Sequence, residues 1–129
     1  MKEKLMEEAV KAMYNAYAPY SGFRVGAAIL TETGNIYSGC NVENASLGAT
    51  ICAERNAATT AVSAEGKMRI CAIAIASASE EPVPPCGICR QFLSEFTGLE
   101  APVYLVSSTS GKVKEYTFGS LMPLTFTGF

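Results

Sequence analysis

Two fragments of the chain carry residue types that could do chemistry together. The first is Cys52-Ala53-Glu54 and the second is Pro85-Cys86-Gly87-Ile88-Cys89. Each stands where the pattern predicts a helix to begin, next to a loop. A Cys-x-x-Cys at a helix N-terminus has its thiolates stabilised by free backbone N–H groups and by the helix dipole. A third thiolate, from the other helix start, completes three sulfur ligands. Three protein ligands and one open position is the pattern of a catalytic zinc, whose fourth place holds water of pKa roughly 7. Protons must then move, and Glu54 is the natural shuttle. It stands two residues from Cys52, and side chains two apart do not share a face in mid-helix. Both reach one metal only if the helix points at it end-on. Three thiolates leave a zinc ion with a net charge of about −1, so a nearby cation should offset the excess. Arg55 and Arg90 adjoin the ligands in sequence, and Arg55 is the favoured compensator.

Two other readings compete at this level. A Cys-x-x-Cys could be a thioredoxin-like redox pair, although that pair normally follows the first strand of a βαβ unit and this one comes late. Cys40 or Cys71 could add a fourth thiolate and close a structural zinc site. Cys71 falls inside an apolar strand pattern, where a free thiol is usually a small hydrophobe. Cys40 ends a strand pattern and is harder to set aside.

The elements that position these fragments follow from periodicity. Leu5, Met6, Ala9, Met13 and Ala16 form one apolar stripe, predicting a helix over Lys2 to Ala16. Tyr17-Ala-Pro-Tyr-Ser-Gly is a breaker loop. A strand is expected from Phe23 to Thr31, a hairpin turn at Glu32-Thr-Gly-Asn, and a returning strand from Ile36 to Cys40. A helix is expected over Thr50 to Ala64, stopping near Gly66. Arg69 to Ala78 is almost continuously apolar, as in a strand buried on both faces. A proline-rich acidic loop covers Ser79 to Pro85, and a third helix spans Cys86 to Phe96. Val103 to Ser107 and Val113 to Phe118 form an antiparallel pair. The order predicts an α/β protein: a three-layer α/β/α fold around a mixed five-stranded sheet, with residues 1–129 as a single domain.

Composition narrows the classes of partner. With 129 residues, 49% of them hydrophobic, the chain can bury a core without disulfide staples. A net charge of −2 with scattered basic residues gives no footprint for nucleic acid. No apolar run approaches membrane length. Five cysteines without a disulfide pattern suggest a reducing compartment, so a cytoplasmic location is expected.

A ligand-x-Glu fragment followed by Pro-Cys-x-x-Cys is the signature of the zinc deaminases. The chain resembles the cytidine deaminase family in its compact, homotetrameric class, which uses Cys as the first ligand. The likeness runs from Tyr20-Ser-Gly-Phe-Arg-Val-Gly-Ala-Ala through Asn41-Val-Glu-Asn-Ala-Ser and Cys52-Ala-Glu-Arg to Pro85-Cys-Gly-Ile-Cys-Arg-Gln. The resemblance implies one zinc per chain on Cys52, Cys86 and Cys89, with Glu54 as general acid and base. It implies that Asn41 and Glu43 hold the ribose 3′-hydroxyl and that Phe23 lies beside the pyrimidine. It gives Ala45 and Ala53 backbone contacts to sugar and base, Gln91 a hydrogen bond to a ligand thiolate, and Phe126 a place in the site of another subunit. The implied reaction converts cytidine or 2′-deoxycytidine and water to the uridine product and ammonia, as in pyrimidine salvage. The sequence departs from the family at Leu47, where Tyr is more usual on the sugar side.

Overall fold

The computed structural model describes residues 1–128. Helix α1 (Lys2–Met13) is followed by the hairpin of β1 (Val25–Thr31) and β2 (Ile36–Cys40), a 3-10 turn at Leu47–Ala49, and helix α2 (Ala53–Glu65). Strand β3 (Ile70–Ser77), helix α3 (Gly87–Ser94), strands β4 (Pro102–Ser107) and β5 (Val113–Thr117) and the short α4 (Phe118–Leu121) complete the order. The strands form one five-stranded sheet in the order β2-β1-β3-β4-β5. Only the β3–β4 pairing is parallel, because α3 carries the chain back between them; the other three are antiparallel. The sheet is therefore mixed, as expected.

Helices cover both faces. Leu5, Ala9 and Met13 of α1 pack against Ala28 of β1 and Ala72, Ala74 and Ala76 of β3. On the other face Ile29, Ile73, Ile75, Val103 and Leu105 meet four alanines of α2 and Leu93 of α3. The alternation in β3 thus sorts alanine toward α1 and isoleucine toward α2 and α3. The small side reflects close approach: a Cβ on Gly26 would lie 2.0 Å from the Ala9 carbonyl oxygen and 2.5 Å from the Met13 nitrogen. Gly39 does the same for α2, since a Cβ there would lie 2.6 Å from the Ala57 nitrogen.

Several boundaries differ from expectation. Helix α1 stops at Met13, short of Ala16, with a turn at Tyr14 and Asn15. Phe23 lies in the loop before β1 rather than in the strand. Helix α2 starts three residues later than predicted, which leaves Cys52 as its N-cap. It ends as expected at Gly66, whose φ of 74° suits glycine. Phe118 does not continue β5; it opens α4 and is buried against the core. Cys71 is exposed, not a small buried hydrophobe. Leu30 pairs with Ala72 and Thr31 with Ile70, so Cys71 is the residue skipped at a bulge and turns outward.

Candidate active site

Cys52 and Cys86 occupy equivalent places: each is the N-cap of its helix, with extended backbone (φ −71°, ψ 155° and φ −70°, ψ 168°). Helices α2 and α3 therefore aim their N-termini at one point. Cys89, one turn into α3, is fully buried beside them. The three sulfurs lie within 4.8 Å of one another, and Cys52 Sγ to Cys86 Sγ is 3.9 Å. Thiolates about 2.3 Å from a tetrahedral zinc stand about 3.8 Å apart, so the three cysteines fit that ion. Neither Cys40 nor Cys71 joins them, and among the described residues no other cluster of this kind occurs. That removes the closed four-sulfur reading and leaves one coordination position open.

The electrostatics match the charge argument. Arg55 Nη2 lies 3.6 Å from Cys52 Sγ and 3.4 Å from the Thr50 carbonyl oxygen. The thiolate in turn raises the pKa of the guanidinium. Arg90 instead donates to the carbonyls of Pro85 and Leu121, both at 2.8 Å, and so braces the start of α3 against the C-terminal segment. In the metal-free chain, a hydrogen bond from Cys89, helped by Arg55 and Cys86, holds Cys52 down to about 5, while the same bond and burial push Cys89 up. A zinc ion would take both sulfurs as thiolates.

Glu54 follows Ala53 in the first turn of α2 and is 4% exposed. Burial pushes its carboxyl up from 4.5 to about 7, with the Cys52 charge adding to the rise. Both protonation states are then populated at neutral pH, as an acid that is also a base requires.

Glu54, Cys52 and Cys86 share a cavity of about 300 Å³. Asn41 and Glu43 line the same cavity. Asn41 is buried and fastens the entry to β1: its Oδ1 accepts from Val25 N at 2.9 Å and its Nδ2 donates to the Phe23 carbonyl oxygen at 2.8 Å. Glu43 accepts from the backbone N–H groups of Tyr20 and Ser21, at 2.9 and 3.1 Å, and from the Ser21 hydroxyl. Those bonds, the hydroxyl first, lower its pKa and keep it an ionised acceptor. Phe23, Val25, Ile75, Ser77, Val83 and Pro84 line it as well.

Residues 1–106 match the family described as the cytidine and deoxycytidylate deaminase zinc-binding region. The chain belongs to that family. It is 44% identical over 126 residues to the cytidine deaminase of Halalkalibacterium halodurans, covering 98% of this chain and 94% of that one. It is 47% identical over 125 residues to the cytidine deaminase of Sporosarcina psychrophila, covering 97% and 90%. Its fold superposes on the crystal structure of cytidine deaminase from Burkholderia pseudomallei with a TM-score of 0.91 at 41% identity, covering 98% of this chain and 99% of that one. The three-cysteine cluster is suited to the zinc that this family's region is described as binding.

Within the deaminase cavity the structure gathers Phe23, Asn41, Glu43, Cys52, Ala53, Glu54 and Cys86. Ala45 is exposed and lies outside the lining, as does Phe126, 60% exposed. Leu47 is 74% exposed in the 3-10 turn and also lies outside it. The hydrogen bond that Gln91 makes is to the Phe126 carbonyl oxygen, at 2.6 Å, so it ties α3 to the C-terminal segment. Sequence reasoning missed Ser21, Ser77, Val83 and Pro84. The signal for Val83 and Pro84 was present: residues just before a ligand at a helix start must pass close to the metal. Ser21 and Ser77 carried no such signal, because only the fold turns them to the cavity.

Proposed function

We propose that the chain catalyses the hydrolytic deamination of cytidine and 2′-deoxycytidine to uridine and 2′-deoxyuridine with release of ammonia, a pyrimidine-salvage reaction. The observation that carries this reading is the buried Glu54 carboxyl, at a pKa of about 7, in the same cavity as two of three clustered thiolates. When bound there, zinc supplies the Lewis acidity that makes water a nucleophile at neutral pH. The residues of the chain do the rest. Glu54 takes one proton from the attacking water and delivers it to the ring nitrogen, then takes the second from the hydroxyl now on C4 and gives it to the amine as the C–N bond breaks and the C4 carbonyl forms. Ala53 presents its backbone to the base, and Phe23 and Val25 cover the apolar ring. Glu43, ionised and held by Ser21, accepts from a ribose hydroxyl beside Asn41. A carboxylate in that position repels a phosphate, which favours nucleosides over nucleotides. Arg55 offsets the thiolate charge, with the N-termini of α2 and α3 acting in the same sense.

The active form is a homotetramer in this reading, with residues 1–129 of each copy as one catalytic unit in the cytoplasm. Exposed Leu47 and Phe126, together with Ala45, lie outside their own chain's cavity. A neighbouring copy is the means by which such residues would reach a site. No helix among the described residues is long and apolar enough to cross a membrane.

Ammonia release measured on cytidine, 2′-deoxycytidine, cytosine, CMP and an RNA oligonucleotide tests the substrate class. Turnover of the two nucleosides alone is the expected result. Faster turnover of CMP or of the oligonucleotide would overturn the reading of Glu43.

A further inference from the structure

Ser77 and Ser107 are register partners at the C-terminal ends of the parallel strands β3 and β4. Both follow two apolar residues on the face that carries α2 and α3: Ile73 and Ile75 in one strand, Val103 and Leu105 in the other. Each is 1% exposed, where a hydrophobic side chain would pack more cheaply. Ser107 Oγ is fully used. It donates to the Ser79 carbonyl oxygen and accepts from Ser110 N at 2.9 Å and Thr109 N at 3.2 Å. Ser77 Oγ lies 2.9 Å from Ser79 Oγ, and proton counting settles which of them donates. A hydroxyl has one proton. Ser79 gives its proton to the Glu81 carbonyl oxygen, 2.7 Å away. In the Ser77–Ser79 bond, therefore, Ser77 is the donor.

Ser77 lines the cavity, and with its proton committed its Oγ keeps acceptor capacity for which no donor is found among the described residues. The loop that takes the proton is held from outside. Lys112 Nζ lies 2.7 Å from Glu81 Oε1, Lys114 Nζ lies 3.6 Å from Glu81 Oε2, and Ser110 Oγ donates to the Glu80 carbonyl oxygen at 2.7 Å. The same loop brings Val83 and Pro84 to the wall beside Ser77 and leads into Cys86. Ser77 thus lines the same cavity as Cys52, Cys86 and Glu54, where the cytidine reading puts the reacting carbon. A cytosine nucleoside carries an amine at that carbon, a donor. The product carries a carbonyl there, an acceptor, and its N3–H lies on the Glu54 side.

We propose that Ser77 discriminates substrate from product: its Oγ, with its proton committed to Ser79, accepts a hydrogen bond from the 4-amino group and disfavours the 4-carbonyl. The inference rests on the cytidine reading of the cavity. Its test is the ratio of the uridine inhibition constant to the cytidine KM, measured in zinc-loaded wild type, Ser77→Ala and Ser79→Ala. The Ser77→Ala variant loses the acceptor, and the ratio falls by roughly two- to twelvefold, the range for one neutral hydrogen bond. In Ser79→Ala the Ser77 hydroxyl remains but its proton is freed to meet a carbonyl. Uridine then binds more tightly than to wild type, and the ratio falls again. A purely structural role would move KM and the inhibition constant by the same factor. An unchanged ratio in either variant overturns the proposal, and Ser79→Ala decides it if Ser77→Ala does not fold. A wild-type chain that releases no ammonia from cytidine would instead overturn the cytidine reading.

Discussion

Replacing Glu54 with Gln keeps the shape of the protonated side chain and removes its acid–base chemistry, so it separates two consequences of one buried carboxyl. The first is catalytic. A positioned general acid and base contributes on the order of 10²–10⁴-fold, or about 3–5 kcal/mol of barrier. Zinc-loaded Glu54→Gln should lose kcat by that factor while keeping its metal, because the three sulfurs are untouched. The second is thermodynamic. Raising a carboxyl from 4.5 to about 7 corresponds to about 3 kcal/mol of disfavoured charge. In zinc-stripped protein the unfolded chain releases the Glu54 proton near pH 4.5, whereas the folded chain holds it until about 7. Stability contributed by this group therefore falls between those pH values and is level above them. Gln carries no proton to lose, so stripped Glu54→Gln should match stripped wild type near pH 4 and exceed it by about 3 kcal/mol at pH 8. The Glu54 charge also raises the pKa of Cys89, so the difference at pH 8 includes that coupling in the same sense. The assays are steady-state kinetics on the metal-loaded pair and denaturant unfolding of the stripped pair at several pH values. A loaded variant that keeps more than a tenth of wild-type kcat would remove Glu54 from the reaction. Equal stability of the stripped pair at pH 8 would show that burial is not what raises its pKa.

Replacing Cys52, Cys86 or Cys89 singly by Ser should abolish stoichiometric zinc by metal analysis, whereas Cys40→Ser and Cys71→Ser should leave one zinc per chain. Loss of metal in either of the latter would mean the ligand set is wrong. Arg55→Gln removes the cation beside Cys52 Sγ, leaves the thiolate charge less compensated and should shift the acidic limb of the pH–rate profile upward; an unchanged profile with zinc retained would assign the compensation to the helix termini alone. Glu65 Oε2 accepts from Thr31, Thr33, Asn35 and Tyr37 side chains, and these bonds, that from Thr33 first, hold its carboxyl down to about 2. A depressed carboxyl stabilises the fold above its ordinary 4.5 and loses that contribution as pH falls toward 2. Glu65→Gln should therefore flatten the decline of stability in that acid interval, and acid titrations of both proteins that run parallel would contradict it.

Much of the metal chemistry was legible in the chain because it depends on local rules. A Cys-x-x-Cys spacing puts two sulfurs on one turn whatever surrounds them, and a Cys-x-Glu at a helix start permits both side chains to reach one point. The nearly continuous apolar run Arg69 to Ala78 fitted a strand covered on both faces, and hairpin and breaker residues marked where the sheet turned. Other features depend on contacts between residues far apart in the chain, which periodicity does not encode. Cys71 reads as a core thiol until the pairing of β1 with β3 skips it at a bulge and turns it to solvent. The resemblance gives Asn41 a ribose contact, and only the fold shows its amide making two hydrogen bonds to the entry of β1. Ser77 and Ser107 look like polar ends of strands; only the parallel register of β3 and β4 sets them side by side under the cavity, and only the loop folded over them decides which way a proton points. Spacing along a chain determines which groups can share a turn, whereas the direction of a hydroxyl or the exposure of a thiol is decided by whichever distant backbone packs against it.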